Sequence, residues 1–233
     1  MDDQHESLGP SAGDDLKGAP GRGAGSRAHH VYDSLWSAIK RGEFALGERV
    51  REKDVAKGLG VSRTPVREAL YRLRERGILE LAPGGLVVAN LSRPQILELY
   101  EMREVLEGSA ARFAASHASP SEVETLRRIA SAFEGAGEEP SRLARINDEF
   151  HNAIYEAAHN RYLIRTLGEL HDSLALLPGT TFSVAGRRQA SIDEHRQLLE
   201  AIGGHRADEA ELLARSHTRA AMEARLQMMF SDF

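Results

Sequence analysis

The sequence predicts a mainly α-helical chain: an N-terminal winged helix-turn-helix unit followed by an all-α, antiparallel six-helix bundle. Three observations carry this. Apolar residues recur at three- and four-residue spacing through most of the chain, the period of amphipathic helices. One short stretch, residues 78–88, switches to strand-like apolar runs around Pro83-Gly84-Gly85. The charge also divides along the chain. The net charge of −5 hides twelve lysines and arginines against eight acids in residues 27–92, a net +4. Residues 93–233 carry sixteen arginines against twenty-two acids, a net −6, and no lysine follows Lys57.

Residues 1–26 hold Gly9-Pro10, Gly18-Ala19-Pro20-Gly21 and Gly23-Ala24-Gly25, with few large apolar residues and a net −3. Such a segment buries too little to offset its ordering entropy and is expected to be a disordered tail. A basic unit over 27–91 comes next. Val31, Leu35 and Ile39 predict a first helix ending at Gly42. Val55, Ala56 and Leu59 predict a second over 51–59, broken by Gly60. Ser62 is a natural N-cap, and Pro65 falls in the first turn, where its missing N–H costs little. Val66, Ala69, Leu70 and Leu73 then form the buried stripe of a third helix that ends at Gly77. Ile78, Leu79 and Leu81 pair with Leu86, Val87 and Val88 as a hairpin, the wing. Asn90 to Pro94 marks the boundary to a second domain over 92–233. There, helices are expected at 94–117, 121–135, 140–158, 161–177, 186–202 and 206–229, separated by proline and glycine.

Cysteine is absent, so disulfides, thiolate metal sites and cysteine nucleophiles are excluded. No run of 18 apolar residues exists, so no membrane contact is expected. The N-terminus, Met1-Asp2-Asp3, has no apolar signal-peptide core, and a cytoplasmic location is expected.

The sharpest local pattern is Gly60-Val61-Ser62-Arg63-Thr64-Pro65-Val66-Arg67-Glu68-Ala69-Leu70. Arg63 and Arg67 lie four apart, on one face of the third helix and in its first turns, where a recognition helix reaches base edges. An arginine there makes a bidentate contact to guanine worth about 1–3 kcal/mol. Ser62, Thr64 and the free N–H groups of the helix start suit phosphate. Lys53 and Arg51 open the second helix and point to backbone contact. Gly84 and Gly85 either bring the wing tip close to the minor groove or simply make the turn. Arg72, Arg74 and Arg76 read as a solvated face, with phosphate contact as the alternative. The plainer alternative for Arg63 and Arg67 is also a solvated face, but the surrounding helices and wing argue against it.

These residues resemble the GntR family of bacterial transcription regulators. The resemblance runs from Val55-Ala56 through Gly60–Leu70 to Leu73 and Gly77-Ile78-Leu79. It implies a DNA-reading head with Arg63 and Arg67 intact. It departs at Lys53, where some relatives carry an arginine; lysine keeps the charge without the bidentate fork.

Ten histidines occur. His117, His159 and His205 fall near helix ends, where a cation suits the dipole. His151 shares a helical face with Asn147, Ile154 and Ala158. His195 shares one with Leu198, Leu199 and Ile202, and His217 one with Leu213, Ala220, Ala221 and Ala224. Three helices thus each place one histidine on a core-facing stripe. Buried imidazoles need partners for both nitrogens, and three together suit a divalent cation. Asn147, four residues before His151, offers a carbonyl oxygen as fourth ligand. Three independently satisfied core histidines are the plainer alternative, and His171 competes for membership. Asp148 and Glu194 each point about 100° around their helices from the neighbouring candidate.

The helical half resembles the FCD ligand-binding domain of the FadR subfamily, in its six-helix, VanR-like form. The matching segments are Asn147-Asp148-Glu149-Phe150-His151, Ala157-Ala158-His159-Asn160, Glu194-His195-Arg196 with Leu199-Ala201-Ile202, and His217. The resemblance implies a metal held by Asn147, His151, His195 and His217, with zinc first and nickel or manganese as alternatives. Asparagine in place of aspartate removes a negative charge from such a site. A small carboxylate effector then fits the open metal positions. Arg103 matches an arginine of the first FCD helix near the ligand pocket; a surface salt bridge with Glu107 is its plainer reading.

Together these features predict a ligand-responsive transcription regulator. It is expected to bind operator DNA as a homodimer and to act as a repressor released by a carboxylate. The alternatives are a regulator whose effector is the metal ion itself and a histidine-ligated metalloenzyme. No HExxH motif or evident general base supports the enzyme.

Overall fold

Apolar spacing of three and four residues sets the first element of the computed structural model, which describes residues 22–230. Helix α1 (Arg22–Lys40) buries Val31, Leu35, Trp36 and Ile39 on one face. It starts at Arg22, inside the segment expected to be a tail, and the rest of that segment lies outside the described residues. Helix α2 (Glu52–Leu59) ends on Gly60, whose left-handed backbone lets its N–H bond back to Ala56 and Lys57. Helix α3 (Arg63–Glu75) buries Pro65, Val66, Ala69, Leu70 and Leu73. Ser62 holds the N-cap position in an extended conformation, but its hydroxyl makes no capping bond.

Strands β1 (Leu79–Ala82) and β2 (Gly85–Val88) pair antiparallel, with Leu79 opposite Val88 and Ala82 opposite Gly85. Arg49 bridges to Val87 and so extends the wing toward α2. The head core joins α1, α2, α3 and both strands, and it includes Leu176 from the second domain.

The second domain is helical throughout its regular elements. Helix α4 (Arg93–His117) starts on Ser92, whose N–H donates to Gln95, and has Pro94 in its first turn. Helix α5 (Pro120–Glu134) carries a full capping box between Ser119 and Glu122. Glu139 caps α6 (Pro140–Ala157), and Asn160 caps α7 (Arg161–Leu174). After a short 3-10 turn at Thr181–Ser183 come α8 (Arg187–Gly203) and α9 (Ala207–Phe230). The six expected bundle helices therefore all form. The central helix is α4, where Ala110, Ala111, Ala114 and Ala115 let α6, α7, α8 and α9 approach closely around Phe150, Ile154, Leu198 and Ile202. Among the described residues, no helix is long and apolar enough to cross a membrane.

Helix α7 stops at Leu174, three residues before its expected end. The chain leaves the helix because two leucines serve different cores. Leu176 enters the head core, while Leu177 packs with Ile96, Tyr100 and Ala221. Arg76 is exposed, as the sequence suggests, but it is also paired at the same junction. Its guanidinium donates to the Tyr32 hydroxyl at 2.8 Å and lies 3.0 Å from the carboxylate of Asp172 on α7. It ties the end of α3 to the bundle.

Candidate nucleic-acid interface and histidine centre

The start of α2, the first turns of α3 and the wing tip enclose one groove. Arg51, Lys53, Arg63, Arg67, Gly84 and Gly85 all line it. Ser62 and Thr64 are exposed beside it at the start of α3. Six of the eight residues expected from the sequence to face nucleic acid therefore share a single basic concavity. Three lining residues were not foreseen, Val50 and the charged Arg49 and Glu52. Glu52 accepts a bond from Arg67 Nε at 2.7 Å, and its other oxygen lies 4.0 Å from Arg63 Nε. That carboxylate holds both arginines of the recognition face toward the groove. Arg49 donates to the carbonyl of Pro83 at 2.8 Å and packs against the wing tip. The Arg49 guanidinium lies against Gly84, and φ there is +95°. Glycine at this position therefore follows from the left-handed backbone of the turn.

The three histidines converge. One ring nitrogen from each of His151 on α6, His195 on α8 and His217 on α9 lies within 4.8 Å of the others. His151 Nε2 and His217 Nε2 are 3.0 Å apart. Tetrahedral zinc with bonds of about 2.0–2.1 Å puts its ligand nitrogens roughly 3.3–3.4 Å apart, close to the spacing of this pair. All three are buried, His195 to 1% exposure. Both nitrogens of His195 are buried without a hydrogen-bond partner. The ring is wedged between Phe150, at 4.4 Å between centroids, and Phe133, at 5.1 Å. A satisfied core histidine would not leave both nitrogens orphaned. The donor set therefore fits a divalent ion.

Two carboxylates set the ring orientations. His217 Nδ1 donates to Glu194 Oε2 at 2.6 Å, which directs its Nε2 lone pair at the centre. Glu194 also accepts from Arg187 at 2.8–2.9 Å. On the other side, Glu107 Oε2 lies 3.6 Å from His151 Nδ1 and accepts from Thr218. The expectation that Glu194 points away from the site is thus corrected. It lies about 100° around α8 from His195, yet α9 packs close enough for both residues to reach His217. Burial lowers the His151 pKa to about 3, against the opposing pull of Glu107. Burial also holds His195 well below the ordinary imidazole value. Both rings are neutral near pH 7, the protonation state a metal ligand needs.

Arg103 pairs with Glu107 at 2.7 Å, but this pair is buried, which corrects the surface salt bridge weighed from the sequence. Burial alone would raise the Glu107 carboxyl, and Arg103, His151 and His217 together bring the pKa below its usual value. Asn147 Oδ1 is buried with no partner and lines the same cavity as His217. That cavity, about 550 Å³, also takes in Arg103, Arg187 and Asp148. Burial raises the Asp148 carboxyl, which lies 3.7 Å from His171. His171 therefore lines the cavity but stays outside the histidine centre. The helix-end histidines act as staples: His117 Nδ1 contacts the carbonyl of Ala158, and His205 Nδ1 that of Ala115.

Two family signatures match the chain: bacterial regulatory proteins of the gntR family over residues 27–88, and the FCD domain over residues 98–220. The Bacillus subtilis HTH-type transcriptional regulator YdhC, itself uncharacterized, is 30% identical over 73% of this chain and 78% of its own. A probable D-xylose utilization operon transcriptional repressor from Paenarthrobacter nicotinovorans is 30% identical over 84% of this chain and 88% of its own. Among solved structures, Escherichia coli McbR/YncC superposes with a TM-score of 0.73 at 22% identity, over 87% of this chain and 98% of that one.

Proposed function

The chain belongs to the GntR family of transcriptional regulators, with an FCD domain behind its DNA-binding head, and from this premise we propose a metal-dependent repressor released by a small anion. Its relatives are regulators of transcription, so the metalloenzyme alternative falls away. The observation that carries the ligand reading is the junction of centre and cavity. His217 belongs to both the histidine cluster and the cavity wall, and Arg103 and Arg187 stand on the same wall. An ion held by His151, His195 and His217, with Asn147 as the fourth donor, would present open positions to a carboxylate. Arg103 and Arg187, each paired with a glutamate, would offer it their remaining N–H donors. Zinc is the first choice for an imidazole and oxygen set, with nickel and manganese next. The depth of the three imidazoles favours a resident ion over an exchanging one, and hence an anion effector over the metal-sensing alternative.

The head reads operator DNA through Arg63 and Arg67, with Ser62, Thr64, Lys53, Arg51 and the Gly84-Gly85 wing on flanking phosphates. A homodimer, working on the chromosome in the cytoplasm, sets two such heads on a near-palindromic site. Exposed Met102 and Val105 on α4 and exposed Leu212 on α9, the two helices that pair along the bundle, support a second copy covering that side. A relative named as a repressor supports repression.

The test has two parts. A duplex selected from random sequence by the wild-type chain should lose binding to Arg63→Ala/Arg67→Ala by at least about a hundredfold. Retained sequence-specific binding would refute the reading head. Elemental analysis should find one divalent ion per chain, absent from His151→Ala/His195→Ala/His217→Ala; protein purified without chelators and free of metal would refute the centre.

A further inference from the structure

The cavity beside the histidine centre is not confined to the helical body. Its wall includes Lys40, the last residue of α1, together with Gly179 and Thr180 beyond α7. Four arginines line it, and each is already engaged. Glu107 holds Arg103, Glu149 holds Arg145, Glu194 holds Arg187, and the carbonyls of Pro178 and Gly179 hold Arg225. Lys40 is different. No carboxylate among the described residues pairs with it, and its ammonium lies 5.1 Å over the ring of Trp36 on its own helix. The one acid on the wall, Asp148, faces His171.

A cavity of about 550 Å³ holds a small metabolite, with the histidine centre on one wall and an uncommitted ammonium on another. We propose that Lys40 is a second anion subsite and that the effector is a small dianion. One acid group sits beside His217 and Arg103, and the other sits on Lys40. This rests on the anion-effector reading above and adds to it the ligand class and the coupling. Lys40 belongs to the reading head, so the second acid group contacts head and body at once. Its binding then depends on how the head sits, which is what links effector to operator.

Thermal-shift titrations of the zinc-loaded full chain would use malonate, succinate, glutarate and adipate. The controls are propionate, butyrate, valerate and hexanoate, which match them in carbon number. One diacid should stabilise the wild-type chain at a concentration about tenfold below its matched monoacid. Lys40→Met should erase that preference, and Lys40→Arg should keep it. The same diacid should release the selected duplex from wild type and from Lys40→Arg, but not from Lys40→Met. Equal response to diacids and monoacids in the wild type, or a diacid preference that survives in Lys40→Met, overturns the second subsite and leaves the anion-effector reading standing. No response of the wild-type chain to either series overturns both.

Discussion

Glu194 is next to His195 in the chain, yet its hydrogen bond goes to His217 on another helix, and this single contact fixes which nitrogen faces the centre. A carboxylate on the far nitrogen of a ligating imidazole holds the ring and raises its basicity. Removing such a partner commonly costs 10–100-fold in metal affinity. Glu194→Gln keeps the shape and loses the charge, for both His217 and Arg187. We expect about a tenfold or greater loss of zinc affinity with an unchanged circular dichroism spectrum, measured by competition with a chromophoric chelator. An affinity equal to wild type would mean that Glu194 serves only Arg187. The three histidines were legible in the sequence because each lies on an apolar helical stripe. Their carboxylate partners were not. Helical phase separates Glu194 from His195, and Glu107 reads as the i+4 partner of Arg103 until α6 and α9 close over it.

At the scale of the element, α7 joins the two domains. His171 faces the cavity, Asp172 meets Arg76 at the end of α3, and Leu176 fills the head core just beyond the helix. One turn and its exit thus touch the cavity beside the histidines, the end of α3 and the core of the head. Leu176 is 4% exposed, and truncation of a buried leucine costs about 2–4 kcal/mol. Leu176→Ala should lower the urea midpoint accordingly while leaving bound zinc in place, because the histidines lie on other helices. A shift within error would show that the head core closes without it. Helix boundaries were readable because each stop is local chemistry, such as Gly60 in a left-handed cap or Ser119 and Glu122 in a capping box. The exit of α7 was not, since Leu176 and Leu177 continue an apolar run that fits a helix equally well. Only the two separate cores that receive them decide where the helix ends. The pairing of Arg76 was hidden for the same reason: its partners, Tyr32 and Asp172, lie 44 and 96 positions away in sequence.

For the whole molecule, the division of charge is the governing feature. Residues 27–92 are basic and the helical body is acidic, so phosphate attraction concentrates in one groove per head. Binding that rests on several Lys/Arg–phosphate contacts releases counterions. Between 50 and 200 mM salt, affinity for the selected duplex should fall by about a thousandfold for a dimer making six or more such contacts. Fluorescence anisotropy at stepped salt measures the slope; a slope corresponding to one or two contacts would place DNA outside the groove. The amino-acid chemistry of the same division has a practical side. Every primary amine on a side chain beyond the N-terminal 26 residues belongs to the head: Lys40 at the cavity, Lys53 in the groove and Lys57 on α2. A mild acylating reagent, read by mass spectrometry, therefore marks the head and leaves side chains of the all-arginine body untouched. Protection at Lys53 reports occupancy by duplex and protection at Lys40 reports occupancy of the cavity, both from one sample without a reporter attached.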